Sequence, residues 1–99
     1  MNMQTLMREA QKMQKELQKT QAELENTLYE GSSALVKIVL NGNKEVKSIS
    51  IDRDVLADSD DVEMLEDMIL VAFNDALKKV NDDKDKKLSK YGNGLSGLM

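Results

Sequence analysis

The stretch "LVKIVLNGNKEVKSISID", Leu35 to Asp52, decides the fold class. Two apolar runs rich in β-branched residues flank Asn41-Gly42, a dipeptide that readily takes the backbone angles of a hairpin turn. On the first run Val36, Ile38 and Leu40 share one face, while Leu35 and Val39 occupy the other. Apolar side chains on both faces suggest a central strand, or one buried on two sides. On the second run Ile49 and Ile51 point one way with Lys47, and Ser48 and Ser50 point the other, so one face is expected to be covered and the other wetter. A two-stranded hairpin is marginal in water, so another element must supply the cover. "TLYE", just before Gly31, offers a third, edge strand.

Both flanking segments read as helix. Met3, Leu6, Ala10, Met13, Leu17, Thr20 and Leu24 alternate steps of three and four, the a/d spacing of a heptad, with Glu9, Glu16 and Glu23 at g. The polar residues between them are good helix formers, and a helix over 2–26 would be roughly 37 Å long. With Thr20 at a d position, this short seam needs a partner helix. Further on, Asp60 and Glu63 form a capping-box pattern, and Val62, Leu65, Ile69, Phe73 (or Ala72), Ala76 and Val80 follow as an apolar stripe widened by Met68 and Leu77. Acids near the start and Lys78 and Lys79 near the end of that stripe suit the helix dipole. "SKYGNGLSGLM", rich in Gly and Ser, reads as a loose tail. These segments define an α+β chain with a small antiparallel sheet of two to three strands. It is read as one domain over 1–99, with an arm at 1–26, sheet at 27–57, helix at 60–88 and flexible tail at 89–99. The second helix would cover the hairpin's apolar face, and the first would project as an arm seeking a partner. A symmetric homodimer with projecting helical arms satisfies both demands.

Composition narrows the chemistry. The 99 residues hold no Cys, His or Pro, which removes disulfides, Cys- or His-based metal sites, and nucleophilic cysteine or imidazole catalysis. The acidic "DSDDVE" lacks the alternating ligands and glycine of a calcium loop and is explained by a helix start. Ser32-Ser33 beside Gly31 carries no phosphate-loop pattern and reads as a turn. No catalytic residue, metal, cofactor or small-molecule substrate is therefore expected. No apolar run approaches the roughly 18 residues of a membrane span, and "MNMQTLMREAQ" does not resemble a signal peptide, so a cytoplasmic location is expected. The net charge is −4, unevenly spread. Residues 58–76 carry seven acids and no base, whereas 77–99 carry six lysines against three aspartates.

Arg8, Lys12, Lys15 and Lys19 are spaced 4, 3, 4 and share one helix face, opposite the a/d seam, over about 17 Å. Such a row can lie along the phosphates of a duplex, or it can be a solvated face with Glu16 pairing to Lys12 or Lys19. The tail lysines Lys84, Lys86, Lys87 and Lys90 form a second candidate contact, diluted by Asp82, Asp83 and Asp85, and of these Lys86 and Lys87, with Lys78 and Lys79, are expected to help the stripe. No aromatics interleave with either group, so stacking on single strands is not expected and any DNA contact would be mainly backbone-directed.

"LMREAQKMQKELQKTQAEL", "LVKIVLNGNKEVKSISID" and "DDVEMLEDMILVAFNDALKKV" together resemble the YbaB/EbfC family of bacterial nucleoid-associated proteins, over nearly the whole chain. "VKIVLNG" running into "ISID", and "EMLEDMILVAFNDAL", are the most specific parts, and "GLSGLM" is similar to the family's Gly-Leu-rich ending. The resemblance implies a homodimer with tweezer-like arms that binds double-stranded DNA in the nucleoid without catalysis and influences nucleoid organisation or gene expression. The chain departs from the family in having "GSSAL" where a Gly-rich turn is common, and in lacking the C-terminal Pro. The competing reading is a protein-binding, chaperone-like coiled-coil module of the prefoldin type. Exposed Met3, Met7 and Met13 would favour that alternative.

Overall fold

The computed structural model describes residues 2–53 and 61–91. Helix α1 spans Met3–Asn26, strands β1, β2 and β3 span Leu28–Ser33, Val36–Asn41 and Val46–Ile51, and helix α2 spans Asp61–Leu88, followed by one 3-10 turn at Ser89–Tyr91. The sheet is antiparallel in the order β1-β2-β3. The architecture is α+β, with the chain extended to 71 × 20 × 14 Å. Asp60 of the expected capping box and the Gly-Leu-rich ending lie outside the described residues.

The core is one sandwich of helix on sheet. Tyr29 on β1 and Val36, Ile38 and Leu40 on β2 pack against Met68, Ala72, Ala76 and Val80, which recur every fourth residue along α2. The i+4 recurrence continues to Val80, and the helix runs eight residues beyond it, so Lys78 and Lys79 fall inside the helix and not at its end. Small side chains at Ala72 and Ala76 let α2 approach the sheet at Gly31. A Cβ on Gly31 would overlap the Ala72 carbonyl and Ala76 amide and lie 2.8 Å from the Ala76 Cα. This close approach explains why Gly31 sits within a strand. It also corrects the expectation of a turn at Ser32-Ser33: both belong to β1, and the turn falls one step later at Ala34-Leu35, where Ala34 has φ +49°.

The second turn is longer than the two residues that Asn41-Gly42 suggested. β2 ends at Asn41 and β3 begins at Val46. The buried Asn41 side chain organises the loop: its Oδ1 accepts from the amides of Asn43 and Glu45, and its Nδ2 donates to Glu45 Oε1. A bulge follows, with Val39 opposite Ser48 but Leu40 opposite Val46.

β2 is central in the sheet yet covered on one face only; Val39 is half-buried and Leu35 exposed. A larger departure concerns β3. Ile49 and Ile51 pair with Ile38 and Val36 and so lie on the helix-covered side, yet they remain 53% and 39% exposed. The reason is the line α2 takes. Asp75 Oδ2 accepts from the Ser32 amide and Lys79 Nζ donates to the Glu30 carbonyl, drawing α2 over β1 and the edge beyond it. Those two side chains occupy backbone groups of an edge strand that would otherwise stand open. Among the described residues, nothing covers the helix-side face of β3 at Ile49 and Ile51.

Candidate nucleic-acid interface

The arm is built from a helix anchored only at its C-terminal end. Asn2 caps the start, its Oδ1 accepting from the Gln4 amide at 3.0 Å. At the other end Leu24 is fully buried, and the backbone of Gly42 presses so closely on the Leu24 carbonyl that a Cβ there would overlap it. The Thr20 hydroxyl meets the Tyr91 hydroxyl at 3.3 Å. Leu17, Thr20, Gln21 and Leu24 are thus the contact side of α1, while residues 2–16 are all exposed. At 1.5 Å per residue, the free part of the helix reaches about 20 Å from the body.

Arg8, Lys12, Lys15 and Lys19 lie on this arm and are exposed. Lys15 precedes Leu24 by about two and a half turns, which puts the stripe on the side opposite the buried contact. None of the four is within ion-pair distance of a carboxylate among the described residues; the salt bridges found there are Lys37–Glu30, Lys79–Asp75 and Lys87–Asp83. The i,i+4 partners available in sequence are not engaged, and the stripe presents four open cations.

The lysines of α2 divide differently. Lys79 is held by the Glu30 carbonyl at 2.8 Å and by Asp75 at 3.5 Å, so it acts as a clamp between helix and sheet. Lys87 pairs with Asp83 at 3.0 Å. Lys78 and Lys86 are exposed. Lys86 stands two residues from both Lys84 and Leu88, on the far side of α2 from α1. One chain therefore does not bring the two basic groups onto a common surface: the α1 stripe faces away from α2, and Lys86 faces away from α1.

Tyr29 completes a network that sequence spacing alone does not reveal. Its hydroxyl donates to Asp83 Oδ2 at 2.5 Å, joining β1 to the end of α2 that supports the arm. Burial and the hydrogen bond to Asp83 push the Tyr29 hydroxyl up to about 12. Burial works to raise Asp83, but the Tyr29 hydrogen bond and the Lys87 and Lys86 charges prevail and hold its carboxyl below the usual carboxylate range. The depressed Asp83 contributes stability that is present above the ordinary carboxylate pKa and lost as pH falls through its folded value. The raised Tyr29 contributes stability present below the ordinary tyrosine pKa and lost as pH climbs through about 12. Tyr29→Phe is expected to cost about 1–3 kcal/mol at pH 7, with the deficit shrinking in acid as Asp83 protonates. Urea denaturation at several pH values measures it, and a deficit independent of pH would contradict the coupling.

On the arm's other side the a/d seam is open from Met3 to Met13: Met3, Leu6 and Met13 are 75%, 45% and 54% exposed, and Met7 beside the seam is 59% exposed. No helix of the described residues is long and apolar enough to cross a membrane, and no group of three or more metal-ligating side chains comes together among them.

Comparison with known proteins places this architecture. The fold matches a crystal structure of an uncharacterized protein from Helicobacter pylori, with a TM-score of 0.72 at 24% identity, over 93% of this chain and 99% of that one. A nucleoid-associated protein of Clostridium botulinum is 48% identical over 98 residues, 97% of this chain and 86% of that protein. One from Chloroflexus aurantiacus is 43% identical over 101 residues and spans both chains completely. The family model described as the YbaB/EbfC DNA-binding family matches residues 1–95. By that match and by its relatives, this chain belongs to the YbaB/EbfC DNA-binding family.

Proposed function

We propose that the protein binds double-stranded DNA as a homodimer, in the nucleoid and without catalysis, and thereby takes part in nucleoid organisation or gene regulation. The observation that carries this reading is the arm: four exposed cations on one face of a projecting helix, none of them paired among the described residues. Arg8, Lys12, Lys15 and Lys19 make the main phosphate contacts. Lys78 and Lys86 add to them from α2, whereas Lys79 and Lys87 contribute less because each is already held by the protein. The relatives' name, nucleoid-associated protein, supports a chromosomal location in the cytoplasm. Competition tests the choice of ligand. An unlabelled duplex should displace a labelled duplex from the protein, while a single strand of the same length should displace it poorly, since no aromatic side chain stands in the stripe to stack on bases. Equal competition would contradict duplex binding.

The homodimer is supported by the uncovered side of the sandwich. Ile49 and Ile51 on β3 share the sheet face that α2 covers elsewhere, and the flank of α2 turned away from Asp75 and Lys79, which face β1, carries the partly buried Ile69, Phe73 and Leu77. Exposed apolar side chains on that face mark an association surface, and a two-fold copy covers it with its own equivalent. Light scattering should give twice the chain mass of 11.1 kDa, and Ile49→Glu, at a site exposed in the single chain, should reduce it to the monomer. A monomeric wild type would contradict the dimer.

The exposed Met3, Met7 and Met13 favour the second reading, a holdase that clasps unfolded chains between its arms. The two separate cleanly: a holdase suppresses aggregation of a denatured client protein, whereas a DNA-binding dimer leaves that aggregation unchanged.

A further inference from the structure

Where α1, the β2–β3 turn and α2 meet, a cavity of about 180 Å³ is lined by Gln21, Leu24, Glu25, Asn43 and Lys84. Lys84 is half-buried there, unlike the exposed lysines of the arm and of β3. The charges acting on it are Lys44 of the turn, which repels its cation, and Glu25 of α1, which attracts it. We propose that Lys84 is an acylation site, a lysine that accepts a small acyl group from an anionic acyl phosphate in preference to the chain's other lysines.

Two features favour the reaction. Burial first, and then the Lys44 charge, hold the Lys84 amine below the usual lysine range, so more of it is neutral and nucleophilic near pH 7. The cavity also offers polar groups to the donor, since Gln21 and Asn43 line it beside Lys84. Lys84 Nζ attacks the acyl carbon, the carbon–oxygen bond to phosphate breaks, and phosphate leaves with the electron pair. The nitrogen gives up its proton to water, and a neutral amide remains. Acylation ends the repulsion with Lys44 and removes a cation from a partly desolvated place, so the product fits the site better than the ammonium did. Lys79 and Lys87, by contrast, are engaged in ion pairs with Asp75 and Asp83.

The proposal goes beyond DNA binding and is tested without DNA. The full chain is incubated with acetyl phosphate between pH 7 and 9, and the acetylation rate of each lysine is followed by peptide mass spectrometry. Lys84 should react about fivefold faster than the exposed Lys47 and Lys78 at pH 7.5. Lys44→Gln should slow Lys84 by removing the repulsion, and Glu25→Gln should speed it by removing the attraction. A difference in access alone would not produce these opposite changes. A Lys84 rate no greater than those of Lys47 and Lys78, or one unmoved by both variants, would overturn the proposal.

Discussion

Gly31→Ala is expected to cost about 3 kcal/mol or more, a large share of the roughly 5–15 kcal/mol that holds a domain of this size together. The added methyl meets backbone, not a side chain that could swing aside: the Ala72 carbonyl, the Ala76 amide and the Ala76 Cα at 2.8 Å. Relief requires α2 to lift from the sheet. Lifting it loosens Met68, Ala72, Ala76 and Val80 against Tyr29, Val36, Ile38 and Leu40, the whole of the sandwich core. It also pulls Asp75 and Lys79 from the β1 edge they occupy. Thermal unfolding followed by circular dichroism should show a midpoint lowered by at least about 12 °C. Ser32→Ala, at the neighbouring exposed position, should stay within about 0.5 kcal/mol of wild type. A Gly31→Ala loss below about 1 kcal/mol would mean that helix and sheet do not approach as closely as described.

The second large effect concerns the arm. Replacing Arg8, Lys12, Lys15 and Lys19 together by Ala should lower duplex affinity by about 100-fold near 100 mM salt and flatten the dependence of log affinity on log salt by about 3–4 per arm engaged. The fold and the proposed dimer should remain intact, because the four side chains sit opposite the buried contact and make no ion pair among the described residues. Lys79→Ala should behave in the opposite manner, disturbing stability through the lost Glu30 contact while leaving the salt slope nearly unchanged. Equal losses of affinity from the two variants would argue against the stripe.

What could be read from the sequence was whatever depends on neighbours three or four positions apart. The α1 seam and its opposite basic face follow from the spacing of Met3 to Leu24 and of Arg8 to Lys19, and α1 runs over Met3–Asn26. The alternation of Val36, Ile38 and Leu40 likewise marks the face of β2 that is buried. Distant partners were hidden. Gly31 looks like a break because glycine usually ends a strand; its reason for being there is a pair of alanines more than forty positions away. Ile49 and Ile51 announce a face that wants cover, but alternation does not say whether α2 reaches that far, and it does not. Spacing alone ranks Lys79 and Lys87 with Arg8 and Lys12. A sheet carbonyl and a carboxylate bound through Tyr29 set them apart, and only the fold brings those acceptors near.

The measurement that tests the central claim most directly is fluorescence anisotropy of the purified protein with a labelled duplex of about 30 base pairs, titrated over a range of salt concentrations. Binding is expected at low salt, with log affinity falling linearly and steeply with log salt at a slope of at least about 3, matching one arm's four cations. A duplex that stays free at low salt while the protein remains folded and dimeric would contradict it.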